Sequence, residues 1–406
     1  MKHAGRRTFL KSTLAASLAA GMPGWTAQAG PPFPPCDPGE VQVDPARLKL
    51  ATDFIDAESA AGTFPGAALM ATRHGRTFAS HCRGTYRDAD GADRPLHAGV
   101  SHPLFSFSKG VAGTVAALMR QQALIDYDAP VSLYIPEYQG GGKDGTTLRH
   151  LLTHAAGIPA ESHGPVDTEE QWQSYLDQLC AAEVAWPPGS RTAYHGLSGI
   201  FLVAEVIRRV SGRRPWEVIC REHLFAPIGA GFTFVPDPAV APVAVAPGYF
   251  DSIGPGKNGI GSHPAGGIFG TPEDMLRLLN LIALGGDWQG KTVLQPETLT
   301  ELLAVQYADA IAQAVAAGEA PTHEPWGIGW LVRGTAPKCD GGPWFGFGDG
   351  TSPTLFGHAG VDTVYGVGDP ARSLAFIFIM TARLKDAAAS TRVRREVSNL
   401  LQAAVT

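Results

Sequence analysis

Apolar positions recur at helical spacing in some stretches of the chain and form short continuous runs in others. From about Ala46, Leu48, Leu50, Phe54 and Ile55 supply the apolar stripe of a helix. Residues 66–73, the pair His74-Gly75 and residues 76–80 read as a β-hairpin. One helical pattern runs over 106–124. Another lies between Tyr194 and Arg208, where Leu197, Ile200, Leu202, Val203, Val206 and Ile207 keep the spacing and Gly212 closes it. Thr271-Pro272-Glu273-Asp274 supplies an N-cap residue, a proline at the first helical position and acids in the first turn, with Gly285-Gly286 as the stop. Residues 327–332, 363–367 and 373–379 read as antiparallel strands, the last two joined at Asp369-Pro370. The final stretch, with Val393, Val397, Leu400 and Leu401, is an amphipathic helix. Strands near both ends with helices between them predict an α+β body, in which 46–100 and 265–406 form an α/β region with an antiparallel sheet and 101–264 a helical region.

The 406 residues suffice for one large enzyme body, and 44% apolar with 17% charged residues is a globular composition, neither disordered nor collagenous. Gly and Pro make up 49 and 32 positions, so many loops are fixed in shape. The net charge is −6, and because residues 1–29 carry Lys2, Arg6, Arg7, Lys11 and no acid, the rest of the chain stands at −10. That balance argues against a nucleic-acid or anionic-membrane partner. Arg6-Arg7, a mild apolar run from Ser12 to Ala20 and Ala27-Gln28-Ala29 resemble a twin-arginine export signal over 1–29, followed by a Pro-rich spacer over 30–45. The apolar run falls short of the roughly 20 residues a membrane span needs, so a periplasmic or secreted protein without stable membrane insertion is expected. The five cysteines (Cys36, Cys82, Cys180, Cys220, Cys339) form no C-x-x-C pair and are expected to be buried and structural, with one or two disulfides open to them.

The sharpest local chemistry is Phe105-Ser106-Phe107-Ser108-Lys109-Gly110 at the start of a helix. Positions i and i+3 share a helix face, so the Ser106 hydroxyl and the Lys109 amine can meet as nucleophile and base. At the reference pKa of about 10.4 the amine would be neutral in about one molecule in 2,500 at pH 7, so burial must lower it. Competing motifs fail on context. Gly254-Pro-Gly256-Lys-Asn-Gly259 lacks a preceding strand and a following acid, His323-Glu324-Pro325 cannot open an H-E-x-x-H helix, and no G-x-S-x-G elbow exists. His150 and His154, four apart, have no third metal ligand nearby, so no metal is expected.

The segment from Leu104 to Val131 resembles the serine β-lactamase and penicillin-binding protein superfamily, with a likeness to its class C and family VIII carboxylesterase branch. Phe64-Pro65-Gly66-Ala67, Leu148 through Pro159, Ala265-Gly266-Gly267 and Phe356-Gly357-His358-Ala359-Gly360 follow in the same order as in that superfamily, over roughly 46–400. The resemblance implies the β-lactamase/DD-peptidase-like fold and a cofactor-free serine hydrolase working through an acyl-enzyme. It implies Tyr194 as proton relay beside Ser106 and Lys109, and the backbone N–H groups of Ser106 and Val361 as the oxyanion hole, with His195, His358 and Gly360 at the substrate. Two boxes depart from it. Tyr194-His195-Gly196 lacks the asparagine that holds an acylamido group, and His358 replaces a permanently charged lysine with a side chain expected to gain charge only toward pH 6. Both departures point to a small or medium carboxylic ester as substrate. A class C-like β-lactamase or D-amino-acid peptidase is the alternative, and a non-catalytic cell-wall binding or sensor protein a further one.

Overall fold

The computed structural model describes residues 32–159, 165–244, 261–335, 346–361 and 363–406. The export-signal segment, the glycine motif at 254–259 and Cys339 lie outside them. Helix α1 (Pro45–Ala60) begins at Asp44, whose carboxylate accepts from the Ala46 and Arg47 amides. The predicted hairpin follows as β1 (Gly66–Arg73) and β2 (Arg76–Arg87), turning at His74 and Gly75 with φ of +51° and +71°. Two successive positive φ values are what a tight two-residue hairpin needs. After the short β3 (Asp93–Pro95) come α2 (Phe107–Gln121), α3 (Leu148–Leu152) and α4 (Ser198–Val210). Helix α5 (Pro272–Ala283) carries the expected Thr271 cap, reciprocated by Asp274. Strands β4 (Leu331–Val332), β5 (Phe356–Gly360), β6 (Val364–Asp369) and β7 (Leu374–Met380) and helix α6 (Ala387–Ala404) complete the chain.

The seven strands form one antiparallel sheet in the order β3-β2-β1-β7-β6-β5-β4, so the N-terminal hairpin is joined to the C-terminal strands through β1 and β7. Both central strands are buried along their whole length, as their continuous apolar runs require. Period two sorts the side chains. Leu69, Tyr365, Val367, Phe376 and Phe378 face the terminal helices, packing on Ile55, Val393, Val397 and Leu401. The opposite face meets α2 and α5, where Gly366 lies against Phe107, Met275 and Leu279. His358 is paired with Gly366 and therefore shares that second face, and Gly360, two residues on, shares it as well. This is the α+β arrangement expected.

Two strand and helix limits differ from the expected ones. Of 327–332 only Leu331–Val332 is strand, because Gly327 and Gly329 pack backbone to backbone against Leu302 and Gly113 instead of joining the ladder. Helix α4 starts at Ser198 rather than at Tyr194. The cysteines also differ: Cys36, Cys82, Cys180 and Cys220 are free thiols, and only Cys220 is buried.

Candidate active site

Ser106 is the residue before the first turn of α2, and the chain reaches it through Phe105 at φ +47°, a left-handed conformation that few non-glycine residues adopt. That kink lets the helix start abruptly, so that the Ser106 and Lys109 side chains lie over one turn. The Lys109 amine is 2.9 Å from the Ser106 hydroxyl oxygen and donates at 3.0 Å to the Ala265 carbonyl of the Ala-Gly-Gly box. Lys109 is 1% exposed, and burial lowers its pKa to about 7, since the charged ammonium loses its water. Ser108, the other candidate hydroxyl, is buried and accepts from the Ile268 amide instead.

Tyr194 closes over this pair, its ring centroid 5.0 Å from the Lys109 nitrogen. Trp326 stacks along Tyr194 at 6.1 Å, and the His154 and His358 rings stand 4.6 and 6.3 Å from it. The His358 imidazole is fully buried, with Nδ1 donating to the Ala359 carbonyl at 2.7 Å. Burial, and then the nearby Lys109, lower its pKa to about 3. The expected gain of charge toward pH 6 is therefore corrected: a fully buried ring stays neutral there. His195 is 2% exposed, lies flat against His154 at 5.9 Å and has its pKa lowered to about 4 by burial.

Gly360 has a steric reason to lack a side chain. A Cβ there would come 2.3 Å from the Leu104 carbonyl oxygen, so the end of β5 lies directly on the loop that presents Ser106. Val361 follows at φ +38°, turning out of the strand. Gly360→Ala is expected to push the two apart, lowering stability by about 1–3 kcal/mol and activity by an order of magnitude or more. Thermal unfolding together with ester hydrolysis checks this, and an unaltered variant would show that the close approach is unimportant.

Reasoning from sequence weighed His154 only as a metal ligand and overlooked Trp326 and His263. His154 stood in a quoted box, but the i, i+4 spacing to His150 suggested a shared helix face. In the structure α3 ends at Leu152, His150 accepts from the Thr147 amide, and His154 turns away at φ +58°. His263 accepts the Ala265 amide through Nδ1, holding the carbonyl-bearing turn that Lys109 uses.

The family described as Beta-lactamase matches residues 51–399. Among curated relatives, the Esterase/beta-lactamase LipL of Mycobacterium tuberculosis is 31% identical over 153 residues, which is 37% of this chain and 35% of LipL. The Esterase EstB of Burkholderia gladioli is 26% identical over 349 residues, 73% of this chain and 82% of EstB. The chain thus spans about a third of the first relative's length and about four-fifths of the second's. A solved penicillin-binding protein homolog from Caulobacter crescentus shares the fold, with a TM-score of 0.69 at 22% identity, covering 89% of this chain and 98% of that one. All five ordered boxes fall inside the matched span, and the chain belongs to the Beta-lactamase family of serine hydrolases.

Proposed function

We propose that this chain is an exported serine hydrolase that cleaves carboxylic esters of small or medium acids through an acyl-enzyme. The observation that carries the reading is the buried Lys109 amine, 2.9 Å from the Ser106 hydroxyl with a pKa near neutrality. A neutral Lys109 takes the Ser106 proton as the oxygen attacks the ester carbonyl. The resulting oxyanion is received by the Ser106 and Val361 N–H groups, neither of which donates to a backbone acceptor among the described residues. Preorganised donors of this kind are worth about 2.7–4 kcal/mol each. The proton passes by way of Tyr194 to the alkoxide as the C–O bond breaks, and the alcohol leaves. Water then adds to the acyl carbonyl, loses its proton to the same pair, and releases the acid while Ser106 recovers its hydrogen.

The altered boxes support an ester. Gly196 offers no side-chain amide to an acylamido group, and buried, neutral His195 and His358 offer no cation to a carboxylate. The name carried by EstB favours the same class, and that of LipL joins an esterase to a β-lactamase. Export rests on the paired arginines and small-x-small site of the leader alone; among the described residues no helix is long and apolar enough to cross a membrane.

A panel of p-nitrophenyl esters beside a chromogenic cephalosporin tests the substrate class. Faster ester turnover is expected. Equal efficiency on the cephalosporin would replace the reading with that of a class C-like β-lactamase, and stoichiometric fluorophosphonate labelling without turnover would replace it with a sensor. On a neutral ester, kcat/KM is expected to rise with pH through about 7 as Lys109 loses its proton and to level off above. His195 and His358 titrate far below that range and add nothing to the limb. A profile flat from pH 5 to 9 would remove Lys109 from the base role.

A further inference from the structure

We infer that His154 is a positioning residue that clamps Tyr194 over Lys109, an inference that rests on the relay role proposed for Tyr194. His154 holds the relay residue's stretch of chain at three consecutive positions. Its carbonyl accepts the Ala193 amide at 3.0 Å, its ring stands 4.6 Å from the ring of Tyr194, and its Nδ1 accepts the His195 amide at 3.1 Å. Tyr194 itself lies in no helix or strand, since α4 begins only at Ser198. With no regular ladder of its own, this stretch takes its register from the groups that bind its amides. On another side the clamp is backed by Trp326, edge-on to the His154 ring at 4.5 Å, whose indole N–H is anchored on Glu324 at 2.8 Å.

The backbone at His154 agrees with a retained task. Directly after α3 the chain takes φ +58°, a conformation usually given to glycine or asparagine at a helix end, and a histidine persists in it only where its surroundings hold it there. Accepting from a backbone amide through Nδ1 also fixes the ring as the neutral Nε2–H tautomer. A protonated ring would lose the His195 contact, and it would stand close to Lys109 inside the same buried cluster. Lys109, His195, His358 and the phenol of Tyr194 are the charged or titratable groups facing His154 from the packed elements.

Two substitutions separate the parts of the clamp. His154→Asn keeps an acceptor within reach of the His195 amide and tolerates the left-handed backbone, but it gives up the ring. His154→Phe keeps a ring and gives up the acceptor. With ethyl acetate as probe, whose ethoxide cannot leave without a proton, His154→Phe is expected to lower kcat about thirtyfold with KM changed less than threefold, and His154→Asn to recover kcat to within about fivefold. In a Tyr194→Phe background the further loss from His154→Phe is expected to be under twofold, because a misplaced ring without its hydroxyl has nothing left to lose. Equal fold-losses in the two backgrounds would mean a general structural role and overturn the inference, as would unchanged kcat in a folded His154→Phe protein. A kinetically silent Tyr194→Phe variant would overturn the relay reading and this inference with it, whereas a slow Tyr194→Phe with a silent His154→Phe overturns the inference alone. Should His154→Phe not fold, His154→Gln, which moves the polar group one bond farther from the amide, takes its place in both backgrounds.

Discussion

Ser106→Ala and Lys109→Ala are each expected to lower kcat on the best ester at least about a thousandfold, because a nucleophile and its base act as one unit and fail together. The segment offers two hydroxyls, and the structure separates their surroundings. Ser106 meets the Lys109 amine at 2.9 Å, whereas Ser108 is occupied by the Ile268 amide at 3.3 Å. Ser108→Ala therefore loses one neutral hydrogen bond, worth about 1 kcal/mol, and is expected to keep turnover within about tenfold. Near-normal rates in Ser106→Ala with collapse in Ser108→Ala would move the nucleophile by two positions. The lysine has a second consequence. Its folded pKa of about 7 lies below the reference of 10.5, so between those values the unfolded chain binds more protons and this group's contribution to stability rises with pH. Lys109→Met removes that cost, and the inactive variant is expected to be more stable at pH 7 by on the order of 1–3 kcal/mol, seen as a higher melting temperature.

Elements whose formation depends on near neighbours were legible in the sequence. The His74-Gly75 turn and the Thr271 cap were placed correctly because positive φ and capping are local properties, carried by two to four residues. Long-range packing decided the rest. Nothing in the alternation of 327–332 shows that a Cβ at position 329 would come 2.8 Å from the Gly113 Cα, a closeness of backbones that takes the segment out of the ladder. The i, i+3 relation of Ser106 and Lys109 was written in the helix period, and burial of Lys109 was deducible only as a requirement. That Ala265 would accept from its amine, and that His154 and Trp326 would hold the ring over it, depends on segments about 40 to 170 positions apart being folded together. The charge state of His358 failed for the same reason. Reference chemistry sets a titration near pH 6.5, and only the closed sheet face lowers it to about 3.

Tyr194→Phe is expected to slow ester turnover about a hundredfold or more while leaving the fold intact. The substitution keeps the ring, and the ring is what the surroundings grip: Trp326 stacks at 6.1 Å, His154 stands at 4.6 Å, and the Lys109 nitrogen lies 5.0 Å from its centroid. Those contacts are apolar or electrostatic toward the ring face and do not need the hydroxyl, so melting temperature should change little. The chemistry does need it under the proposed relay, because Lys109 is tied to both Ser106 and Ala265 and must hand its proton on to the departing alcohol. The size of the loss should also depend on the leaving group. A p-nitrophenolate departs without a proton, whereas a strongly basic alkoxide cannot, so Tyr194→Phe should cost more on an alkyl ester than on its p-nitrophenyl counterpart. Pre-steady-state measurement of the acyl-enzyme would show which half is slowed. Equal and small effects on both esters in a folded variant would take the relay away from Tyr194 and leave Lys109 to carry the proton alone.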